Sequence, residues 1–366
     1  MKILMVNPIM YSNETNEIKK VKSIKDTLMY NVCCGFNNIG ISITLACSYD
    51  FKPYLNEEYD FEIKFFKTNF RKICYPKIIP HLKGFKKYCK DNINNFDFVI
   101  CSEAFSLATY TAVGVFKEKC YIWQEMAKHQ KKFKKIPSII WYNVIVKMFY
   151  KNATIIARSK NAREFISKYS KNVSSQIIEH GMNISKFPCV NRQNKKQFIV
   201  VSQLIKRKRI DKILYIFKLF LDEYKDYKLI VCGSGDQKNE LIQIVKNYGI
   251  EKNVVFKGQC KHADLSILYR QSLGLLIYTE QDNNMVSIIE SIVSGTPIIT
   301  TTIPYNTTYI RKYNLGIVND NWGVKEMRML INNFDLYSNN CINYRNNLSS
   351  ENTAKLFYKI FSKEHI

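Results

Sequence analysis

The chain is short of acidic residues and of residues that interrupt regular structure. Its 366 residues include 31 Asp and Glu against 55 Lys and Arg, so the formal net charge at pH 7 is +24. Only eight residues are proline, whereas 46% are hydrophobic and 13% are aromatic. This composition excludes a disordered protein, because the apolar residues suffice for a large core. The length predicts two domains of ordinary size.

The sequence also lacks long apolar runs, and its first residues are not expected to form a leader. No run approaches the roughly 20 apolar residues that a membrane-spanning helix requires. The first ten residues, MKILMVNPIM, are too weakly basic and too short for a signal peptide, and their pattern predicts a strand. We therefore expect a cytoplasmic protein.

Cysteine usage excludes a disulfide framework. The eleven cysteines include no C-x-x-C pair, and Cys101 and Cys232 lie in strand-like runs. Reduced thiols in the core are the expected state. No Cys/His cluster has the spacing of metal ligands, so no bound metal is expected.

The common phosphate-binding glycine motifs are missing as well. No G-x-x-x-x-G-K-[ST] occurs, and CGSGDQ (232–237) has no third glycine in register for a dinucleotide fingerprint. Gly233 and Gly235 either allow the backbone to approach a ligand or simply form a turn.

Short β-branched runs alternate with amphipathic stretches along the whole chain. The first series of expected strands is 2–7, 42–48, 61–68, 96–102, 119–125, 153–159 and 174–183. The second series is 198–202, 227–233, 253–258, 273–279, 297–301 and 316–319, with helices that include 208–224, 236–248 and 284–294. Such alternation predicts an α/β protein with two parallel, doubly wound sheets, whose ligands bind in a cleft at the carboxyl ends of the strands.

The expected domains follow from where the two series meet, near residue 190. We expect an N-terminal domain over 1–185 and a second domain over 186–345. A C-terminal helix is expected in 346–366, packing back on the first domain.

One segment concentrates the positive charge. Five lysines fall between Lys128 and Lys135, and apolar residues at helical spacing follow, namely Ile139, Ile140, Trp141, Val144, Ile145, Met148 and Phe149. A basic stretch beside an amphipathic helix is typical of binding to anionic lipid headgroups. A solvated basic loop before a core helix is the alternative.

A second basic stretch follows the first strand of the second series. Lys206, Arg207, Lys208 and Arg209 lie between that strand and a helix. Cations and helix N-terminal amides at the end of a strand predict a phosphate site, although a solvated surface loop has the same composition.

The stretch EQDNNMVSIIESIVSGTPIITT (280–301) contains a helix with clear ends. Asn283 and Asn284 favour its start, and Gly295 favours its end. The amides of Met285 and Val286 are then expected to be unpaired donors available to an anion.

Asp282 and Glu290 flank the start of this helix, and carboxylates there can accept hydrogen bonds from the paired hydroxyls of a hexose and a ribose. The pattern DNNMVSIIE, followed by SGTP (294–297) and a strand, resembles the signature of family 4 retaining glycosyltransferases of the GT-B fold. The first acid of that family is usually Glu, and Asp282 is one methylene shorter. The resemblance implies that Glu290 binds the ribose and that Asp282 lies beside the sugar with the Met285 and Val286 amides.

The upstream family motif, Gly-Arg-Leu, three residues, then Lys-Gly, matches SQLIKRKR in this chain. Lys208 coincides with the diphosphate-binding lysine of the family. Gln203 replaces its diphosphate-binding arginine, and Arg207 or Arg209 is expected to compensate. The turn at Gly233 and the stretch around Gln259 resemble the parts of the family that bind the donor and bracket its base.

The family also places a histidine after about the fifth strand of its first domain. Glu125 in CYIWQEMAKHQ lies nearest that position, and His129 follows four residues later. Either group could orient the acceptor or stabilise developing charge. In the alternative interpretation, Glu125 caps the next segment and His129 is a solvated cation.

The resemblance, strong over residues 150–320, implies a retaining, metal-independent hexosyltransferase. No D-x-D tripeptide occurs, which argues against the metal-dependent glycosyltransferase fold. The expected donor is a nucleotide sugar, with a UDP-sugar favoured, and no further cofactor is expected. The expected acceptor is a glycan or a polyprenyl-diphosphate-linked glycan at the inner face of a membrane, in capsule, O-antigen or other surface polysaccharide synthesis.

Two other functions fit parts of the sequence. A sugar-nucleotide epimerase of the same architecture would need no acceptor. A basic nucleic-acid-binding protein would explain the charge, but the cations form no recognised nucleic-acid module, so no nucleic-acid partner is expected.

Overall fold

The β-branched runs form two parallel sheets in a computed structural model, which describes residues 1–11, 18, 20–75, 77–130, 132–189, 195–282 and 284–363. The chain divides into two units: the first reaches Asn183 and resumes at Ser350, and the second is Ile184–Ser349. The predicted fold class, α/β with two doubly wound units, is confirmed.

The first sheet contains seven strands in the order β3-β2-β1-β6-β7-β8-β9. Its strands are β1 Lys2–Val6, β2 Ser42–Ser48, β3 Glu62–Phe66, β6 Phe98–Ser102, β7 Cys120–Gln124, β8 Thr154–Ala157 and β9 Val173–Ile177, and a separate antiparallel pair consists of β4 Thr68–Asn69 and β5 His81–Leu82. The winding direction reverses between β1 and β6, which is where ligands bind in doubly wound sheets.

The second sheet contains six strands in the order β12-β11-β10-β13-β14-β15. They are β10 Gln197–Val201, β11 Lys228–Cys232, β12 Val254–Gly258, β13 Gly274–Leu276, β14 Ile298–Thr300 and β15 Gly316–Val318. The reversal falls between β10 and β13, which pair in parallel. The basic stretch that begins at Lys206 follows β10, and the acidic stretch that begins at Glu280 follows β13.

Helices cover both faces of each sheet. In the first unit they are α1 Leu28–Asn38, α2 Phe85–Asp91, α3 Leu107–Phe116, α4 Ile136–Ile140, α5 Lys147–Phe149, α6 Lys160–Ile166 and α14 Ser350–Lys363, with a π-helical turn, Trp141–Val146, joining α4 to α5. In the second unit they are α7 Ile210–Leu221, α8 Lys238–Asn247, α9 His262–Gln271, α10 Val286–Val293, α11 Thr307–Lys312, α12 Val324–Asn332 and α13 Phe334–Tyr344. Within the described residues, no helix is long and apolar enough to cross a bilayer.

Successive residues of β1 are buried on opposite faces of its sheet. Ile3 and Met5 belong to one hydrophobic cluster, whereas Leu4 and Val6 belong to another. Burial on both faces is what a parallel sheet requires, and it explains why its strands are nearly continuous apolar runs.

The last helix packs on the first unit, although it follows the second unit in sequence. α14 lies against α1, where Gly35 contacts the backbone of Ser350 so closely that a Cβ would overlap it. Farther along, the Phe361 ring stacks on Phe98 with their centroids 4.3 Å apart.

Candidate active site

In the second unit, the loops after β10 and β13 are joined where the winding of the sheet reverses. The amide of Glu280 donates to the carbonyl of Arg207 (2.9 Å), and the Thr279 hydroxyl donates to the same carbonyl (3.2 Å). The basic stretch and the acidic stretch, 74 residues apart for Lys208 and Asp282, therefore form one site.

Lys208 and Asp282 form an ion pair at the centre of this site. The Lys208 Nζ donates to Asp282 Oδ2, and the two side chains are only 10% and 16% exposed. Arg207 lies 3.6 Å from the same oxygen and also donates to the Gln281 carbonyl (2.7 Å). The carboxylate expected beside the sugar and the cation expected on the diphosphate thus contact one another directly.

Arg209 has different partners. Its guanidinium pairs with Glu280 (2.6 Å) and with Asp211 (3.2 Å), and these hydrogen bonds raise its pKa. Arg209 begins α7 with a φ of 45°, which turns the chain from the basic loop into the helix. Of the two arginines expected to replace the family's arginine, Arg207 lies 3.6 Å from Asp282 of the Lys208–Asp282 pair, whereas Arg209 contacts Glu280 and Asp211.

The glycine-rich turn serves close backbone packing. Gly233 has a φ of 139°, and a Cβ there would overlap the Ser202 carbonyl oxygen. Gln203 follows β10 and Gln259 follows β12, and both side chains are exposed at the carboxyl edge of the sheet. The tight turn thus explains the glycine at position 233, and both glutamines lie at the expected edge.

The start of α10 corrects one expectation. The Met285 amide donates to Asn306 Oδ1 (2.7 Å), so the prediction that it is an unpaired donor is wrong. Val286 is the first residue of the helix, and Asn284 lies half-buried just before it. Asn283 lies outside the described residues.

Glu290 is buried on the second turn of α10. It is 5% exposed, and its Oε2 accepts a hydrogen bond from the Tyr269 hydroxyl (3.1 Å). The ring of His262 lies 3.8 Å from its other oxygen. Burial raises the pKa of Glu290 to about 7, although the Tyr269 bond opposes this shift.

The first unit contains its own cavity at the reversal between β1 and β6. The cavity has a volume of about 640 Å³ and an apolar and polar lining that includes Asn7, Met10, Glu103, Glu125, Arg158 and His180. Its size lies within the range of small-molecule sites. Glu125, predicted from the sequence, faces this cavity.

Glu125 is held by two cationic or polar partners. Its Oε2 accepts from Arg158 Nη1 (2.9 Å) and lies 3.3 Å from His180 Nε2. Burial works to raise the pKa of Glu125, but the charges and hydrogen bonds of His180 and Arg158 outweigh burial and lower it to about 2.

Glu103 fixes the backbone beside Glu125. Its carboxylate accepts from the amides of Glu125 (2.8 Å) and Met126 (3.3 Å). Burial raises its pKa to about 7, the charge of Glu125 adds to the rise, and Arg158 opposes it. Glu103 has a φ of 69°, a strained conformation for a residue with a side chain.

His129 is part of the packing and does not line the cavity. Its Nδ1 and Nε2 lie 3.1 Å from the Ser138 hydroxyl and 3.0 Å from the Tyr169 hydroxyl. Its ring packs edge-on against Tyr142 and Phe165. Since both ring nitrogens bind within the fold, this position argues against the expected role in catalysis.

Sequence reasoning missed Glu103, Arg158 and His180. A signal was available: Glu103, Glu125 and Arg158 come immediately after β6, β7 and β8. The ends of neighbouring parallel strands lie at one edge, so charged residues at those positions predict a cluster. Among the described residues, no group of three or more His, Cys, Asp or Glu side chains could hold a metal ion.

Comparison with known proteins gives matches to both units. Residues 183–352 match the family described as glycosyl transferases group 1. The alpha-monoglucosyldiacylglycerol synthase of Streptococcus pneumoniae is 25% identical over 49% of this chain and 44% of its own length. The O-antigen chain mannosyltransferase RfbU of Salmonella typhimurium is 25% identical over 45% of this chain and 47% of its own length. The chain thus spans less than half the length of these relatives.

A solved structure matches the fold throughout. Anabaena HepE in complex with UDP superimposes with a TM-score of 0.69 over 99% of this chain and 100% of that chain, at 12% identity. The fold is therefore GT-B. The match to the glycosyl transferases group 1 spans residues 183–352, which include the whole second unit.

Proposed function

We propose that this protein transfers a sugar, a hexosyl group, from a nucleotide sugar to a glycan or lipid-linked acceptor. The observation that carries the proposal is the meeting of Lys208, Arg207 and Asp282 at the sheet reversal of the group 1 domain. Anabaena HepE, which shares the fold, was crystallised in complex with UDP, and this supports a UDP-sugar as the donor.

Different residues of the second unit bind different parts of the donor. Lys208 and Arg207 bind the diphosphate, and Asp282 lies at the junction between diphosphate and sugar. Glu290 binds the ribose through its carboxylate, whose Oε2 also accepts the hydrogen bond from Tyr269. Cleavage of the anomeric bond places negative charge on the leaving diphosphate, and fixed cations stabilise that charge more in the transition state than in the bound donor.

The reaction proposed here retains the configuration at the anomeric carbon and needs no metal. The support for both features is the group 1 signature, in which cationic side chains take the place of a metal on the diphosphate. Turnover that is insensitive to EDTA and a product of unchanged anomeric configuration by NMR are the expected results.

The cavity of the first unit is the proposed acceptor site. Carboxylates and an arginine along an otherwise apolar wall suit a hydroxyl-rich ring on an apolar carrier. Two relatives, a monoglucosyldiacylglycerol synthase and an O-antigen chain mannosyltransferase, support a lipid-linked glycan acceptor in surface glycan or glycolipid synthesis.

A membrane surface is the proposed location, on the cytoplasmic side. The helical segment 136–149 exposes Ile136, Ile140, Val144 and Met148, spaced four residues apart, by 41% to 61%. The lysines Lys134 and Lys135 precede this apolar stripe and are exposed. Such a face suits the boundary between headgroups and acyl chains of an anionic bilayer.

The test begins with binding and proceeds to transfer. We expect UDP and one UDP-sugar to raise the melting temperature of the protein, and radiolabel from that sugar to enter lipid extract. Lys208→Met is expected to reduce the UDP-induced shift, whereas Lys160→Met, at an exposed side chain on α6 of the first unit, is expected to preserve it. Turnover of the nucleotide sugar without acceptor would instead favour the epimerase, and binding of RNA that UDP-sugar does not displace would contradict both.

A further inference from the structure

We propose that Arg158 and His180 are positioning residues that hold the Glu125 carboxylate as a hydrogen-bond acceptor for the acceptor hydroxyl. Glu125 then orients that hydroxyl and does not remove its proton. This inference rests on the proposed function, because it concerns the group that would meet the acceptor.

The geometry converges on one oxygen. Arg158 Nη1 and His180 Nε2 lie 2.9 Å and 3.3 Å from Glu125 Oε2, and 3.3 Å from each other. Both partners line the cavity with Glu125, and they are only 3% and 6% exposed. The Glu125 side chain is 42% exposed and lines the cavity, so it is fixed from behind and accessible from the cavity.

Arg158 is itself immobilised by two further contacts. Its Nη2 donates to the Ser102 hydroxyl (3.0 Å), and its guanidinium lies over the Trp123 ring, 4.0 Å from the centroid. A buried arginine fixed in this way cannot follow a moving partner, so it sets the position of Glu125 in advance of binding.

The backbone of Glu125 is fixed from the opposite side. The Glu103 carboxylate receives the amides of Glu125 and Met126, which holds the loop after β7. Glu103 itself lies just after β6 and has a positive φ, which is a strained conformation for a residue with a side chain. Arg158 and His180 therefore orient the side chain of Glu125, and Glu103 orients its backbone.

This environment makes Glu125 a poor base. Arg158 and His180 outweigh burial and lower its pKa to about 2, so a proton would not stay on it near neutral pH. The other charged groups that line the same cavity are Asp26, Lys77 and Glu103. A strong acceptor that holds no proton can still bind a hydroxyl and stabilise positive charge nearby.

The first test needs no activity. We would follow the Glu125 carboxyl carbon by NMR in the full-length protein, assigned by its loss in Glu125→Gln. In the wild type it is expected to remain ionised down to pH 4. In Arg158→Met the midpoint of the Glu125 titration is expected to rise, because one of the groups that oppose the effect of burial is then missing. If the Arg158→Met protein does not fold, Arg158→Lys is used, and it should preserve the low midpoint. An unchanged midpoint in the folded Arg158→Met protein overturns the proposal.

The second test uses transfer kinetics and a double-mutant cycle. We expect Arg158→Met to lower kcat on the order of 100-fold, to leave the KM for the nucleotide sugar unchanged and to introduce a loss of rate toward acid. In a Glu125→Gln background the same change should cost little more, since Arg158 acts through Glu125. His180→Asn should show a smaller effect of the same kind.

The control is Lys160→Met, which removes one partner of an exposed ion pair on α6 and should change none of these quantities. Additive losses in the cycle, or a raised KM for the nucleotide sugar, overturn the positioning role. A wild-type protein without transfer activity contradicts the proposed function instead, while the carboxyl titration still decides whether Arg158 holds Glu125.

Discussion

At the scale of single residues, the protonation of Glu290 links the stability of the protein to pH. The unfolded chain ionises this carboxyl near 4.5, whereas burial raises the folded pKa to about 7. The folded state therefore holds the proton more tightly. Its contribution to stability is fully present below pH 4.5 and is lost as the pH rises through 7.

We predict that Glu290→Gln gains stability relative to the wild type as the pH rises from 5 to 8. The pKa shift corresponds to a gain on the order of 3 kcal/mol, since each pKa unit is worth about 1.4 kcal/mol. The same variant should bind UDP much more weakly if Glu290 binds the ribose. Urea unfolding at the two pH values and calorimetric UDP binding measure the two effects.

Glu164→Gln, at a carboxyl that is 63% exposed, serves as the control and should follow the wild type at both pH values. A Glu290→Gln protein whose stability difference does not change with pH would contradict the assigned protonation. Undiminished UDP binding would remove Glu290 from the ribose.

At the scale of elements, the two loops of the second unit are linked by the Lys208–Asp282 ion pair, which the proposed diphosphate ligand would have to share. Asp282 Oδ2 accepts a hydrogen bond from the Nζ of Lys208. A bound anion therefore gains the lysine only by weakening this pair, and the carboxylate opposes the negative charge of the diphosphate.

We predict opposite effects from the two partners of this pair. Lys208→Met should weaken UDP binding by tenfold or more, on the order of 1.4 kcal/mol, because it removes a cation from the diphosphate. Asp282→Asn should strengthen UDP binding while it lowers sugar transfer, since the amide no longer competes for Lys208 but also loses its contact to the sugar. Isothermal titration with UDP, followed by a transfer assay, distinguishes the two.

Arg328→Met, at an exposed ion pair with Glu223 elsewhere in the second unit, is the matched control. If Asp282→Asn and Lys208→Met weakened UDP binding equally, the carboxylate would be supporting the site and not competing with the ligand.

A second prediction at this scale concerns how α14 is held to the first unit. Gly35→Ala places a methyl group on the Ser350 carbonyl, so α1 and α14 must separate. Such overpacking costs about 1–3 kcal/mol, and thermal unfolding should show a lower melting temperature. Proteolysis near the C-terminus should accelerate at the same time.

Gly114→Ala is the control in the same unit, because Gly114 lies inside α3 and, outside its own stretch of helix, no described residue has an atom within 4 Å of a Cβ there. It should raise stability by about 0.5–1 kcal/mol. A Gly35→Ala protein as stable as the wild type would show that the two helices can shift without cost.

At the scale of the whole molecule, the net charge of +24 favours association with any anionic surface. The membrane location proposed above depends in addition on insertion of the apolar stripe. We predict flotation with vesicles of anionic phospholipid and loss of flotation with neutral vesicles. Ile140→Glu with Met148→Glu should abolish flotation at about 0.15 M salt, because the charges oppose insertion of the stripe.

Ile267→Glu changes an isoleucine of the second unit that is 46% exposed, and it should leave flotation intact. Two results together would contradict insertion and leave charge as the whole interaction. The wild type would lose flotation in high salt, and the stripe variant and the control would float equally at low salt.

The sequence by itself determined the class of the fold and the segments that form the candidate site of the second unit. Alternating apolar runs are a local property of parallel strands, so β10, β13 and the helix after Asp282 were predictable without contacts. The spacing of Asp282 and Glu290 on one short segment is equally local, which is why the family resemblance was visible.

The tertiary structure alone decided what those side chains contact. Lys208 and Asp282 are 74 residues apart, Glu125 and Arg158 are 33 apart, and the pairing of each set depends on which strands are neighbours in the sheet. Burial of Glu290 and the paired amide of Met285 depend likewise on residues distant in sequence. Charge interactions and desolvation act through space, and for that reason the ionisation of each group followed from the packed sheet and not from its neighbours along the chain.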